Sequence, residues 1–305
     1  MNRITSFTIG ADPELFIVNT KTNTVVSSIG LIPGEKGDPW VGEDMPSGFG
    51  LEIDNILAEF NIPPVTNCHS FVNNIEYMKK YIASFVKEKN PDLDVLCAAS
   101  MEVPEDQLQS PEARMFGCSV DYNVYTEGPN PKPQGERTNL RSAGFHIHCG
   151  YPNFNPRTSL KLIRYFDMYI GIPSVIWDTD TRRRELYGKA GCFRLTSYGF
   201  EYRVLSSYMM SSPVLLERVW KGIKRAISAY NNGAPLIDES YVKEVINKNN
   251  VDLAKNLVYQ YSLLDSSDIT WEIPGAPKQE TKKVDIDIAM IDELFDLNPR
   301  ITRRR

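Results

Sequence analysis

The sequence predicts an α+β fold built on a mainly antiparallel sheet. Strand-like runs of Phe, Ile, Leu and Val are interspersed with helix-length amphipathic segments along the 305 residues. They lack the regular βαβ rhythm that a doubly wound parallel sheet shows. Apolar side chains at helical spacing predict four helices, and we expect these helices to pack on the sheet.

The first 65 residues contain three predicted strands. Residues 7–18 are rich in strand-forming residues, although Pro13 must lie at an edge or a bulge because it cannot donate to a ladder. A short strand is predicted over about 25–29, and LEIDNILAEFNIPP, residues 51–64, predicts a third. Residues 30–50 are crowded with Gly and Pro, which indicates a loop of the length that functional segments have.

The four predicted helices follow from residue 70 onward. Residues 70–89 place apolar side chains at helical spacing and are followed by an Asn-Pro pair that stops a helix. The same criterion predicts helices over residues 159–170, 214–230 and roughly 239–261.

Two further strand regions complete the sheet. A second loop rich in Gly and Pro, residues 127–144, leads into AGFHIHCG, a predicted strand with two histidines. CFRLTSYGFEYRVLSS, residues 192–207, predicts paired strands. We expect a single domain over residues 1–268 and a loosely attached charged tail over 269–305.

The composition narrows the classes of partner. The net charge of −5 leaves no broad basic face for nucleic acid or a membrane surface. Asp12 and Glu14 interrupt the segment where a signal peptide needs an apolar run, so we expect a cytoplasmic protein. The five cysteines are odd in number and form no CxxC pair, which predicts reduced, mostly buried thiols rather than a disulfide framework.

Acidic residues stand out on the first and third predicted strands. Asp12 and Glu14 lie two apart and project from the same face, with Cα atoms roughly 7 Å apart. At this spacing, the two carboxylates can bind two neighbouring hard cations. The alternative is that both are solvated side chains on an exposed face of the sheet. Glu52 and Glu59 flank a run that contains Asp54, and the apolar context of Glu59 calls for a cation or an arginine as partner.

The later strands add histidines and arginines. His146 and His148 face the same way on one strand, which indicates a metal or phosphate site unless one of them is a satisfied core histidine. Glu201 and Arg203 share a face, and Arg194 lies on the preceding arm of the hairpin. These charges form an ion pair, or they fix guanidinium groups for phosphoryl transfer.

Taken together, these segments resemble the glutamine synthetase and glutamate-cysteine ligase superfamily, most closely its phage-associated carboxylate-amine ligase branch. The motifs occur in the family's order over roughly residues 7–210. They are the acidic strand with Asp12 and Glu14, the acidic pair Glu52 and Glu59, the His-x-His strand AGFHIHCG, and the Glu-x-Arg strand FEYRVLSS. Asp12 departs from the family, which commonly has Glu there, and its shorter arm shifts one metal or leaves a water in its coordination sphere.

The resemblance implies a glutamine-synthetase-like catalytic domain whose active site lies on the concave face of the sheet, with helices packed on the other face. It implies two metal-binding triads. One, nearer the acceptor substrate, is formed by Glu14, Glu52 and Glu59. The other, which bridges the nucleotide phosphates, is formed by Asp12, His146 and Glu201.

The resemblance also implies the activity, an ATP-dependent joining of a carboxylate to an amine through an acyl phosphate. The cofactors would be ATP and at least two Mg²⁺ ions, with Mn²⁺ as a substitute, and the substrates small molecules or peptides. Arg194, Arg203 and Glu201 would be catalytic, and His148 would join the two arginines at the nucleotide. Independently of the resemblance, Lys189 in YGKAG is a further candidate for a phosphate contact. A homo-oligomer in the host cytoplasm is compatible with the family.

Three other functions compete with this hypothesis. A guanidino-type phosphotransferase shares the sheet but stops at a phosphorylated nitrogen. A catalytically inactive nucleotide-binding or virion-associated module would keep the pocket alone. A zinc hydrolase built on His146 and His148 is disfavoured, because the nearest further ligand, Cys149, should face away.

Overall fold

The computed structural model describes residues 3–114, 121–126, 128–130 and 138–269. The strands of this part are β1 (Thr8–Asn19), β2 (Thr24–Val26), β3 (Gly50–Asp54), β4 (Leu57–Val65), β5 (Leu93–Leu96), β6 (Ser100–Glu102), β7 (Tyr122–Asn123), β8 (Gly128–Pro129), β9 (Leu140–Ser142), β10 (Phe145–Gly150), β11 (Cys192–Leu195) and β12 (Gly199–Tyr202). Its α-helices are α1 (Cys68–Lys89), α2 (Pro111–Arg114), α3 (Pro156–Phe166), α4 (Ile172–Trp177), α5 (Arg182–Leu186), α6 (Pro213–Asn231), α7 (Glu239–Lys248) and α8 (Val251–Tyr261).

Ten of these strands form one sheet. Its main order is β3-β4-β1-β10-β12-β11-β7-β8, and β2 and β5 pair with the C-terminal part of β1. The neighbouring strands run antiparallel throughout, and β6 and β9 form a separate antiparallel pair. The prediction of an α+β fold with a mainly antiparallel sheet is confirmed.

The two faces of the sheet differ in chemistry. On one face, Phe145 of β10 stacks with Phe71 of α1, with ring centroids 6.3 Å apart. On the same face, Phe200 of β12 packs edge-on against Phe166 of α3 at 5.0 Å. Because side chains alternate along a strand, the residue after each of these two phenylalanines projects from the face without helices. The helices α1 and α3 therefore cover the apolar face, and the charged side chains lie on the opposite, polar face.

The strand β1 lies in the interior of the sheet, between β4 and β10. Pro13 is therefore not at a sheet edge, contrary to one of the two predicted placements. The register between β1 and β4 shifts between Ile9 and Ala11, just before Pro13. The missing N–H of the proline is accommodated next to this irregularity.

Two of the predicted helices match closely. The helix predicted over 70–89 is α1, which begins two residues earlier because the Asn67 side chain accepts a hydrogen bond from the Ser70 N–H. The helix predicted over 214–230 is α6, which is capped in the same way by Ser212.

The other two predicted helices are each divided. The segment 159–170 belongs to α3, which starts at Pro156 and passes into a π-helical turn over Asp167–Gly171 before α4. The single helix predicted over 239–261 is wrong. Asn249 adopts a left-handed conformation with φ of 54°, which ends α7, and the side chain of Asn250 caps α8.

The single strand predicted over 51–64 is also wrong, because the segment is a hairpin of β3 and β4. Asn55 turns the chain with a positive φ of 58°. In the resulting register, Glu52 lies directly opposite Glu59, and Glu59 lies opposite Glu14 of β1. The turn thus brings acidic residues from three strands into one row.

Several expectations concern residues outside this description. The predicted tail lies outside the described residues from residue 270 onward, as do residue 127 and residues 131–137 of the predicted loop 127–144. Cys68, Cys97, Cys149 and Cys192 are free thiols, and Cys118 is outside the described part. Within the described part, no helix has both the length and the apolar character needed to cross a membrane.

Candidate active site

A band of charged side chains crosses the polar face of the sheet from β3 to β11. Each member faces a residue of the next strand, so the band follows from strand register rather than from loop conformation. The cross-strand pairs are Glu52 with Glu59, Glu59 with Glu14, Asp12 with His146, His148 with Glu201, and Glu201 with Arg194.

One metal-type cluster in this band consists of Asp12, His146 and Glu201, whose ligand atoms lie within 4.8 Å of one another. The Nδ1 atom of His146 is 3.5 Å from a carboxylate oxygen of each of the other two residues. His146 and Glu201 are buried, at 5% and 1% exposure. The structure therefore brings together the three residues that the resemblance implied for the nucleotide-side metal.

The second cluster consists of Glu14, Asp54 and Glu59, again with ligand atoms within 4.8 Å of one another. Glu52 was expected in this group, but Asp54 takes the place beside the other two. The Glu52 carboxylate accepts a hydrogen bond from the Gly37 N–H at 3.0 Å. Asp54 lies two residues further along β3 on the same face, so the alternation of the strand offered a signal for it.

This second cluster concentrates negative charge in a buried place. Burial raises the pKa of Glu14, and it raises that of Glu59 well above the ordinary value, with further increases from the neighbouring carboxylates. Lys36 contacts Asp54 at 2.6 Å and supplies a positive charge at one edge. Glu52, Glu59 and Glu14 lie in one row across neighbouring strands, and a bound cation would offset the repulsion between their carboxylates.

Glu201 also forms ion pairs with both predicted arginines. Arg194 Nη1 lies 3.0 Å from Oε2, and Arg203 Nη1 contacts Oε1. Arg203 further contacts Asp121 and lies 3.2 Å from His146 Nδ1. These contacts hold the buried guanidinium of Arg203 in one orientation, and an oriented guanidinium can stabilise a negative charge placed next to it.

His148 forms a chain of contacts with Asp12 and Tyr198. Its Nδ1 atom lies 2.6 Å from the Tyr198 hydroxyl, and its Nε2 atom lies 3.0 Å from Asp12 Oδ1. Burial alone would raise the pKa of Asp12, but the imidazoles of His146 and His148 outweigh it and lower the pKa below its usual range. Burial alone would lower the pKa of His148, but Asp12 raises it.

A cavity of about 600 Å³ lies over this part of the polar face. Along β1, its lining runs from Asp12 through Gly10 to Thr8, and Glu52 and Glu59 join it from the neighbouring hairpin. Carboxylates therefore lie at one end of the cavity and small side chains at the other. Its described lining includes no lysine or arginine.

A second cavity lies beyond Glu14 and is lined by arginines. Arg141, Arg183 and Arg203 border it together with Asp54 and His146. The buried Arg183 donates to the backbone carbonyls of Ala143 and Val204. Arg183 was not among the predicted site residues, because it lies on α5 and only tertiary packing brings that short helix to the site.

Three predicted site residues line neither cavity: Lys189, Arg194 and Glu201. Arg194 and Glu201 nevertheless pair with each other in the charged band, whereas Lys189 is not part of that band. Lys189 precedes β11, where the following residue, Ala190, donates to Asn247 of α7. Burial lowers the pKa of Lys189, and the titratable groups that act on it are Cys192, Arg184 and Glu185, none of them a predicted site residue. The structure therefore does not bring Lys189 together with the other candidates.

Residues 137–231 match the family model described as Phage phiEco32-like COOH.NH2 ligase-type 2. The matched region contains the His-x-His strand and the strands with Arg194, Glu201 and Arg203, but not the acidic strands β1, β3 and β4. The match confirms the resemblance to a carboxylate-amine ligase family for this part of the chain. A search of curated proteins gave no match.

Proposed function

We propose that this protein is an ATP-dependent, ADP-forming ligase that joins a carboxylate to an amine through an acyl phosphate. One observation carries the proposal. Two clusters of metal-ligating side chains and two arginines lie side by side on the polar face of the sheet, and part of this arrangement is in the region that matches a carboxylate-amine ligase family.

The residues present fit divalent metal ions. Glu14, Asp54 and Glu59 offer only carboxylate oxygens, the donors that Mg²⁺ and Mn²⁺ prefer. The other cluster combines carboxylate oxygens of Asp12 and Glu201 with a ring nitrogen of His146, a mixed oxygen and nitrogen donor set that also accepts a divalent ion. Bound metal ions would offset the charge of the phosphates and polarise the reacting groups. We assign Asp54 to the acceptor-side ion, with Glu52 beside it at the cavity.

The two cavities suit the two halves of the first reaction step. The cavity of about 600 Å³ is in the size range of small-molecule and cofactor sites, and its small-residue end suits the uncharged base and ribose. The phosphates would then lie at the end with Asp12. The arginine-lined cavity is far smaller, about 30 Å³, so it has room for the reacting carboxylate group of the acid but not for the rest of that substrate.

The chemistry follows from this placement. An oxygen of the substrate carboxylate attacks the γ-phosphorus of ATP. The bond between this phosphorus and the oxygen that bridges it to the β-phosphorus breaks, and ADP leaves. Arg203, fixed by Glu201 and Asp121, stabilises the charge on the transferring phosphoryl group, and Arg194 holds the other oxygen of Glu201. A neutral amine then attacks the acyl carbon, and the bond from that carbon to the phosphate oxygen breaks. Inorganic phosphate leaves, and the nitrogen loses a proton to give the amide.

The test uses the full chain with ATP, Mg²⁺ and a panel of amino acids and dipeptides as acids and amines. We expect ADP release that requires metal, acid and amine together, and an amide-linked product by mass spectrometry. A phosphorylated nitrogen as the stable product would identify a phosphotransferase instead. ATP binding without turnover across the panel would favour an inactive nucleotide-binding module.

A further inference from the structure

Tyr198 lies in the turn that connects β11 to β12, and 45% of its surface is exposed. Its hydroxyl nevertheless points back to the sheet and lies 2.6 Å from His148 Nδ1. The two rings are nearly parallel, with 22° between their planes. An exposed aromatic side chain is thus held against a buried part of the site by its one polar atom.

The turn itself is held firmly against β10, the strand that carries His148. The Tyr198 carbonyl accepts a hydrogen bond from the Tyr151 N–H at 3.2 Å. A Cβ atom on Gly199 would lie 1.9 Å from the Cys149 carbonyl oxygen, so only glycine allows this close backbone approach. The Tyr198 hydroxyl is therefore carried on a turn whose position relative to His148 is fixed by the backbone.

The contact continues from His148 to Asp12. His148 Nε2 lies 3.0 Å from Asp12 Oδ1, and both atoms are buried. The contact at Nδ1 restricts rotation of the imidazole, and the oriented imidazole in turn restricts the Asp12 carboxylate. Side chains that orient a metal-binding carboxylate in this way change metal affinity without touching the ion.

We propose that Tyr198 is a positioning residue for the nucleotide-side metal and acts on Asp12 through His148. The inference rests on the proposed function only in requiring that Asp12 bind a divalent ion. It gives His148 a different part from the one the family resemblance implied. His148 orients a metal ligand from one side, while its ring borders the cavity of about 600 Å³ on the other.

The experiment measures Mn²⁺ binding to the full chain without nucleotide, by electron paramagnetic resonance and calorimetry. The wild-type protein should bind two ions. Tyr198→Phe keeps the ring and removes the hydroxyl, and it should weaken one ion about 10- to 100-fold while leaving the other unchanged. Tyr259→Phe is the matched control, since Tyr259 is 60% exposed on α8, and it should change neither.

A double-mutant cycle separates this chain of contacts from a general structural effect. In a His148→Ala background, Tyr198→Phe should have no further effect on Mn²⁺ affinity, because in the proposal the hydroxyl reaches Asp12 by way of the imidazole. Wild-type affinity for both ions in Tyr198→Phe, or additive losses in the double variant, would overturn the inference alone. A wild-type chain that binds no Mn²⁺ would overturn both the inference and the proposed function.

Discussion

Glu59→Gln should stabilise the protein without metal while removing its response to metal. Glu59 lies between Glu14 and Glu52 in the register of the sheet, and its carboxylate is within 4.8 Å of those of Glu14 and Asp54. Two unit charges at this separation repel each other by ~3 kcal/mol at an effective dielectric constant of about 20. Proton uptake relieves part of the repulsion, so we expect a gain of about 1–2 kcal/mol in the free energy of unfolding.

The assay is thermal unfolding in EDTA and in excess Mg²⁺. In EDTA, the variant should melt a few degrees higher than wild type, since ~1 kcal/mol shifts the midpoint by roughly 2–4 °C in a chain of this size class. In Mg²⁺, wild type should gain stability by mass action and the variant should gain little. Glu244→Gln, on the surface of α7, is the control and should leave both midpoints unchanged. A variant that is less stable in EDTA and still gains stability from Mg²⁺ would refute the reasoning.

Three further predictions follow from the same geometry. The folded state raises the pKa of Glu59 above its ordinary 4.5, so the metal-free protein should lose stability as pH rises from about 4.5 through the raised pKa. Unfolding midpoints measured in EDTA over this pH range should fall in the wild-type protein, and they should fall less steeply in Glu59→Gln. Asp54→Asn should weaken one Mn²⁺ ion at least about tenfold and more than Glu52→Gln does, because only Asp54 belongs to the three-carboxylate cluster; the opposite order in Mn²⁺ titrations would argue for the ligand set that the resemblance implied. Gly199→Ala should destabilise the fold by at least about 2 kcal/mol, because its Cβ would overlap the Cys149 carbonyl; a wild-type midpoint in urea would contradict the close packing of this turn.

The sequence predicted the parts of the fold that depend on periodic apolar side chains. The helix α1 and the helix α6 repeat their apolar residues over many turns, so their existence and length are set locally. The errors occur at Asn55 and Asn249, where a single residue in the left-handed conformation turns the chain. The sequence does not distinguish an asparagine that ends a helix or strand from one that does not, because the conformation it adopts depends on how the following residues pack.

In the site too, residues placed by strand alternation were predictable, and residues placed by tertiary packing were not. Asp12, His146 and Glu201 were predictable because alternation along each strand fixes the face they share. Asp54 lies in the second cluster where Glu52 was expected, and this depends on the register of the hairpin of β3 and β4, which was predicted as one strand. Arg183 and Tyr198 come from a helix and a turn whose positions only the folded chain determines. Lys189, a candidate phosphate contact from sequence, lies apart from the site, and the next residue, Ala190, donates a hydrogen bond to Asn247 of α7.

The central claim is that the clusters on the polar face serve ATP-dependent amide formation. The most direct test is single-turnover chemistry with γ-³²P-ATP, Mg²⁺ and the acid alone, followed by addition of the amine. We predict label transfer to the acid, in an adduct that hydroxylamine traps as a hydroxamate, and amide and inorganic phosphate after the amine is added. Transfer of the label directly to the amine nitrogen, or transfer that persists in EDTA, would contradict the account.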